Sequence, residues 1–147
     1  MHTALLFLAL CVGTFMPLQM GLNAMVNLHW SHSAPIASLI SFFVGTIALS
    51  LFVYMSKTPI PPFATSTVPW YAWFAGLLGA VGVTTLTFLA PRLGALAMVS
   101  LIICGQLIGS VVFDHFGLVG YTIRPVTLMR ILGIVLLIAG AYLVNRY

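Results

Sequence analysis

The chain has 147 residues, of which 62% are hydrophobic, and it carries only five Lys or Arg and one acidic residue. A soluble domain of this length would carry roughly 37 charged side chains, and the mean hydropathy here is +1.19, so a soluble fold and a disordered chain are both excluded. The remaining class is an integral membrane protein. Its net charge of +4 is too dispersed for nucleic-acid binding, and we expect the lipid bilayer to surround it.

Five stretches are long enough to cross a hydrocarbon core about 30 Å thick, because about 20 helical residues span that distance. They are residues 4–24, 35–55, 69–90, 93–113 and 126–144. The sequence therefore predicts an all-α integral membrane protein, with residues 1–147 forming a single transmembrane domain of five helices. We expect the first stretch to remain in the mature protein, since it lacks the basic leader and cleavage site of a signal peptide.

The first predicted helix combines a proline with a row of amides. Gln19, Asn23 and Asn27 are spaced by four residues and share one helix face. Pro17 cannot donate to the carbonyl of Gly13, so we expect the helix to kink there and leave a backbone acceptor free. Such a face lines a substrate cavity or forms hydrogen bonds between helices. Gln19 and Asn23 are accordingly candidate substrate-binding residues.

The connections offer little chemistry. His29 and His32 could supply two ligands to a metal ion, but zinc needs three or four, and no Cys, Asp or Glu is nearby in the sequence. We expect them to be interfacial imidazoles. Residues 56–68 contain three prolines and predict a stiff, extended loop. No phosphate-binding loop or catalytic grouping is visible, so the sequence predicts no enzyme, no metal site and no cofactor.

The fourth predicted helix carries a small-residue motif next to an amide. Gly105 and Gly109 have the spacing that lets two helix backbones approach closely. Gln106 projects from nearly the same region, so it either reaches a cavity or contacts the neighbouring helix. We therefore expect helix packing through the two glycines, and Gln106 is the third candidate substrate-binding residue.

Two charged residues flank this fourth helix. Arg92 and Asp114 are 22 residues apart in sequence, or about 33 Å along a helix, so they cannot touch within one chain. Either each meets water or lipid headgroups at its own interface, or the two pair between inverted copies of the chain. Asp114 is the only acidic side chain, which makes it a candidate for ion coupling as well as for a charge pair with Arg92.

The orientation of the chain in the membrane is weakly encoded. With five spans, the side of the amino terminus, here called side A, receives three Lys or Arg residues and the opposite side B receives two. The positive-inside rule gives little preference from such a count. One interpretation is a single orientation set by the first helix or by its neighbours. The other is dual topology, in which the chain inserts both ways and pairs with its inverted copy.

Several motifs point together to a known family. They are Pro17-Leu18-Gln19-x-Gly21-x-Asn23, Ser41-Phe42-x-x-Gly45-Thr46, Ala90-Pro91-Arg92-x-Gly94, Gly105-Gln106 and Asp114-x-Phe116-Gly117-x-x-Gly120. In this order they resemble the YdcZ-type half-size proteins of the drug/metabolite transporter superfamily. The resemblance implies a multi-pass protein of the bacterial inner membrane that forms half of an inverted-repeat carrier. Because the family includes paired and fused members, it also implies that two oppositely oriented units work together, here as an antiparallel homodimer.

Two classes of function follow. The first is a small-molecule exporter that works by alternating access, with Gln19, Asn23 and Gln106 in an otherwise apolar cavity. The second is a structural or accessory membrane subunit, in which the same amides only hold helices together. The related small multidrug resistance proteins carry a membrane-embedded Glu in their first helix. Here Gln19 and Asn23 stand in the corresponding polar stripe, which argues against proton-coupled export of cations.

Overall fold

The computed structural model describes residues 2–62 and 66–147. Within them the chain forms five long helices and no strand: α1 (His2–Val26), α2 (Ala34–Met55), α3 (Ala75–Leu93), α4 (Ala95–Phe116) and α5 (Leu128–Arg146). Each is long and apolar enough to cross a membrane, counting a short helical extension of α1 and of α3. The all-α membrane fold is therefore confirmed. Residues 63–65 of the expected extended loop lie outside the described part.

The helix ends differ from the predicted limits by a few residues, for local reasons. A π-helix, Asn27–Ser31, prolongs α1. Pro69 is extended and is followed by a 3-10 helix, Trp70–Phe74, so the α-helical part of the third span begins at Ala75 and not at residue 69. That helix also continues through Pro91, because a proline in the last turn breaks only one hydrogen bond.

The described residues group into two compact units, Met1–Arg92 and Leu93–Tyr147. In the first unit α1 and its π-helix pack against α2, and α3 contacts α2 at Gly79, where an added Cβ would lie 3.6 Å from the ring of Phe42. In the second unit α4 packs against α5.

The core of the first unit is narrow and made mostly of small side chains. Its buried residues are Met20, Asn23 and Ala24 of α1, Ala34, Ala37 and Ser38 of α2, and Thr87 of α3. Small residues let helix backbones approach closely where burial of apolar surface cannot drive packing, since lipid is as apolar as the protein interior. The long apolar side chains of the same helices are largely exposed, as expected for surfaces that face lipid.

The connection between α4 and α5 doubles back sharply. Gly117 ends α4 in a left-handed conformation with φ of 62°, which glycine adopts without steric cost. A Cβ at Gly117 would lie 2.6 Å from Cγ1 of Ile123. Further along, the backbone N–H of Arg124 donates to the carbonyl of Asp114 over 2.8 Å. These contacts return the chain to the end of α4 before α5 begins.

Candidate functional site

Asn23 holds a buried amide that has no hydrogen-bond partner in the described part of the chain. The residue is only 6% exposed, and its Nδ2 contacts no acceptor there. It lies eight residues before Ser31, the end of the extended first span, or about 12 Å inside that end. Asn23 is therefore buried, and its role in substrate binding stays a prediction. A buried polar group without a partner is costly, so Asn23 is the strongest candidate for a ligand contact.

Gln19, one turn before Asn23, makes a hydrogen bond to the neighbouring helix. Its Nε2 donates to Oγ of Ser41 on α2 over 3.2 Å, although the residue as a whole remains exposed. The amide therefore points toward α2, and its role in substrate binding stays a prediction. We did not identify Ser41 as its partner from the sequence, because an isolated serine in an apolar helix usually bonds to its own backbone.

A second polar contact joins α2 to α3. Ser38 and Thr87 are both buried, and Oγ of Ser38 donates to Oγ1 of Thr87 over 3.4 Å. Thr46 and Thr85 on the same two helices instead bond to their own backbone. Since both kinds of hydroxyl occur in similar apolar surroundings, the sequence contains no signal that separates the buried pair from the others.

The backbone of the first span is irregular at its end. The α-helix runs without interruption through Pro17, while the π-helix begins at Asn27, four residues after Asn23. π-helical turns inside membrane and soluble helices occur often at functional sites. The kink at Pro17 stays a prediction, and the π-helix after Asn23 is a feature that we did not predict.

On α4 the predicted amide and glycines face open space. Gln106 is exposed, a Cβ built at Gly105 meets no described atom within 4 Å, and one at Gly109 meets only the ring of Phe113 on the same helix. The expected close helix contact through Gly105 and Gly109 is therefore not formed by the described residues of this chain. Substrate binding by Gln106 stays a prediction.

The polar contacts in the second unit lie elsewhere. Nδ2 of Asn145 on α5 donates to Oγ of Ser100 on α4 over 2.9 Å and to the carbonyl of Ala141 over 2.7 Å. Unlike Asn23, this amide is satisfied within the chain. We did not predict this contact, because Asn145 lies beyond the predicted limit of the fifth helix.

Asp114 pairs with a residue that we did not single out. Its Oδ2 lies 3.6 Å from a guanidinium nitrogen of Arg130 on α5. The two side chains line a cavity of about 270 Å³ between α4 and α5, together with Ser110. The signal was present in the sequence, because Asp114 ends one helix and Arg130 begins the next, which places them at the same side of the membrane.

Arg92, the other residue of the predicted charge pair, is held against its own helix. Its guanidinium covers the ring of Phe88 at 3.5 Å from the ring centre and donates to the carbonyl of Phe88. A pair between Arg92 and Asp114 of two inverted copies stays a prediction.

A larger cavity, of about 640 Å³, lies beside the carboxyl end of α2. Tyr54, Lys57 and Thr58 line it together with apolar side chains such as Leu49. Lys57 has a φ of 50°, a left-handed conformation that is unusual for a residue with a side chain.

The described residues contain no group of three or more His, Cys, Asp or Glu that could hold a metal ion. His29 lies exposed in the π-helix, and His32 follows that helix with a left-handed backbone. The polar chemistry of the described helices therefore consists of amides, hydroxyls and one ion pair.

Neither a curated protein nor a solved structure matches the chain. A family model with the description "Putative inner membrane exporter, YdcZ" matches residues 4–143, which include most of every helix and all the candidate site residues. The chain therefore belongs to the YdcZ family of multi-pass inner-membrane proteins.

Proposed function

We propose that the protein is one half of a small-molecule exporter that works by alternating access as an antiparallel homodimer. The observation that carries this proposal is the Asn23 amide, which is buried inside a membrane helix without a partner for Nδ2. A polar group of this kind in a membrane span usually contacts a substrate or another helix. Membership of a family described as inner-membrane exporters supports the first of these roles.

The proposed binding surface is built around α1. Asn23 provides the buried donor, and Gln19 stands one turn away, where the hydrogen bond to Ser41 fixes its amide. Gln106 on α4, in the second unit, is proposed as a separate substrate contact. The π-helix at Asn27–Ser31 supplies irregular backbone close to Asn23, and irregular backbone in a membrane span is tolerated where it is enclosed by protein or lines a cavity.

The proposed dimer supplies what a single chain lacks. An inverted copy would give ten spans related by an axis in the membrane plane, the arrangement of many carriers. The open face at Gly105 and Gly109 offers a surface on which helices of two copies can approach. In the inverted arrangement, Arg92 of one copy and Asp114 of the other lie at the same membrane face.

Transport by purified protein in liposomes tests the proposal. We expect saturable transport of a small solute that is lost in the double variant Gln19→Ala, Asn23→Ala. Thr14→Val is the matched control, because the hydroxyl of Thr14 bonds only to the carbonyl of Cys11 in its own helix, and it should transport normally. Normal assembly of the wild type without transport of any solute would instead favour a structural or accessory subunit.

A further inference from the structure

We infer that the solute bound at Asn23 is uncharged and accepts a hydrogen bond from its Nδ2 through an oxygen atom such as that of an amide or a ketone. This inference rests on the proposed carrier function. It adds the charge class of the solute and the direction of the hydrogen bond.

Among the buried side chains of the first unit that the structure describes, only Asn23 has an amide nitrogen without an acceptor. Gln19 donates to Ser41, and Ser38 donates to Thr87. These four side chains therefore form two hydrogen-bonded pairs. Nδ2 of Asn23 carries two N–H donors and has no acceptor among the described residues. A solute that brings an acceptor oxygen would therefore gain a hydrogen bond at this position, whereas a solute with only donors would leave Nδ2 unsatisfied.

The cationic side chains of the first unit are not placed to balance an anion at Asn23. Lys57 follows the carboxyl end of α2, whereas α2 meets the end of the first span at its opposite, amino end. Arg92 stays on the ring and carbonyl of Phe88. An anion would therefore lose its hydration without gaining a countercharge from the described Lys and Arg of this unit, which is unfavourable within a membrane.

A cation would be no better accommodated. Asp114 is the one acidic side chain of the sequence, and its carboxylate already pairs with Arg130 at 3.6 Å. No other side-chain carboxylate exists to replace the hydration of a bound ammonium group. With neither charge compensated, the unpaired amide N–H groups of Asn23 favour a neutral acceptor.

Titration of the asparagine side chains by NMR tests this inference without any transport assay. The protein, with ¹⁵N-labelled asparagine, is placed in lipid nanodiscs and titrated with three small probes that differ in charge: N,N-dimethylacetamide, tetramethylammonium and acetate. The Asn23 signals are assigned by their loss in Asn23→Leu. The amide of Asn145 is the internal control, since it is already bonded to Ser100 and Ala141.

We expect dimethylacetamide to shift the Asn23 amide signals saturably and to bind at least about tenfold more tightly than either ion, while the Asn145 signals stay in place. Equal or tighter binding of tetramethylammonium or acetate would overturn the inference. So would the absence of a shift at Asn23 with all three probes.

A change of charge at Asn23 supplies a second test. Asn23→Asp keeps the shape of the side chain and introduces a carboxylate, so calorimetry should show tighter binding of tetramethylammonium and loss of dimethylacetamide binding. Asn145→Asp introduces the same charge on α5, outside the proposed binding surface, and as the matched control it should retain the wild-type order of probe affinities. If Asn23→Asp bound the three probes in the same order of affinity as the wild type, the inference would be contradicted. Probe binding without transport would contradict the carrier function alone, so the two failures are distinguishable.

Discussion

Asp114 and Arg130 form an ion pair across α4 and α5, with Oδ2 and a guanidinium nitrogen 3.6 Å apart. Each residue stands at the unfavourable end of its own helix. Asp114 is in the last turn of α4, near the negative end of the helix dipole, and Arg130 is in the first turn of α5, near the positive end. Pairing offsets both unfavourable helix-dipole interactions, so this contact adds to the packing of α4 against α5.

We therefore expect Asp114 and Arg130 to be energetically coupled. Asp114→Asn and Arg130→Gln should each lower the free energy of unfolding, and a double-mutant cycle should give a coupling of about 0.5–1 kcal/mol, typical of a partly exposed pair. Thermal unfolding in detergent measures it. Arg124→Gln is the matched control, because only the backbone N–H of Arg124 contacts Asp114. A coupling of Asp114 to Arg124 as large as that to Arg130 would contradict the assignment.

The buried hydroxyl pair of Ser38 and Thr87 should contribute to stability. Thr87→Val keeps the shape of the side chain but leaves Ser38 without its acceptor, which should cost about 0.6 kcal/mol, the average for hydrogen bonds between membrane helices. The matched control is Thr85→Val, since the Thr85 hydroxyl bonds to its own helix. If both variants unfold at the wild-type temperature, the pair does not stabilise α2 against α3.

The sharp turn after α4 should depend on glycine at position 117. Gly117 and Gly120 both have positive φ, but only a Cβ at Gly117 would approach Ile123, at 2.6 Å. Gly120→Ala should cost about 1–2 kcal/mol of unfolding free energy for the left-handed backbone alone. Gly117→Ala should cost more, and equal losses in the two variants would count against the contact with Ile123.

The open face of α4 should matter for association and not for folding of the chain. Because a Cβ at Gly105 meets no described atom, Gly105→Leu should leave the unfolding temperature unchanged while reducing the dimer yield in chemical cross-linking. Gly13→Leu, at an equally open position on α1, is the control. Unchanged dimer yield in Gly105→Leu would exclude this face as the contact between copies.

Membrane orientation should respond to small changes of charge. An added Lys near a helix end is worth about 1 kcal/mol at an anionic membrane surface. If the two orientations are nearly equal in free energy, this changes their ratio several-fold. The double variant Ser66→Lys, Thr67→Lys should place side A in the cytoplasm. The double variant Ser31→Lys, Ser33→Lys should place side B there. Each variant alone should lose activity, and co-expression of both should restore it.

Reporter fusions at the carboxyl terminus measure these orientations. The unmodified protein should report from both sides of the membrane. A signal from one side only, or a parallel dimer in a structure, would contradict the inverted homodimer.

Much of the fold could be predicted from sequence because it depends on local properties. The length of each apolar stretch determined that there are five spans, and the breakers between them located the helix ends to within a few residues. The exceptions arise where two local preferences compete. Pro69 starts a 3-10 helix before α3 becomes α-helical, and α1 ends in a π-helix that no residue pattern announces.

By itself, the sequence determined that this is an integral membrane protein with five spans and that amides and one acid carry its polar chemistry, since composition and spacing are visible along one chain. Only the tertiary structure decided the partners. It joined Gln19 to Ser41 and Asp114 to Arg130, left Nδ2 of Asn23 without an acceptor among the described residues, and directed Gln106 to open space. The reason is physical: hydrogen bonds and ion pairs depend on how each helix is rotated and how closely it approaches its neighbour, and packing between distant residues decides both.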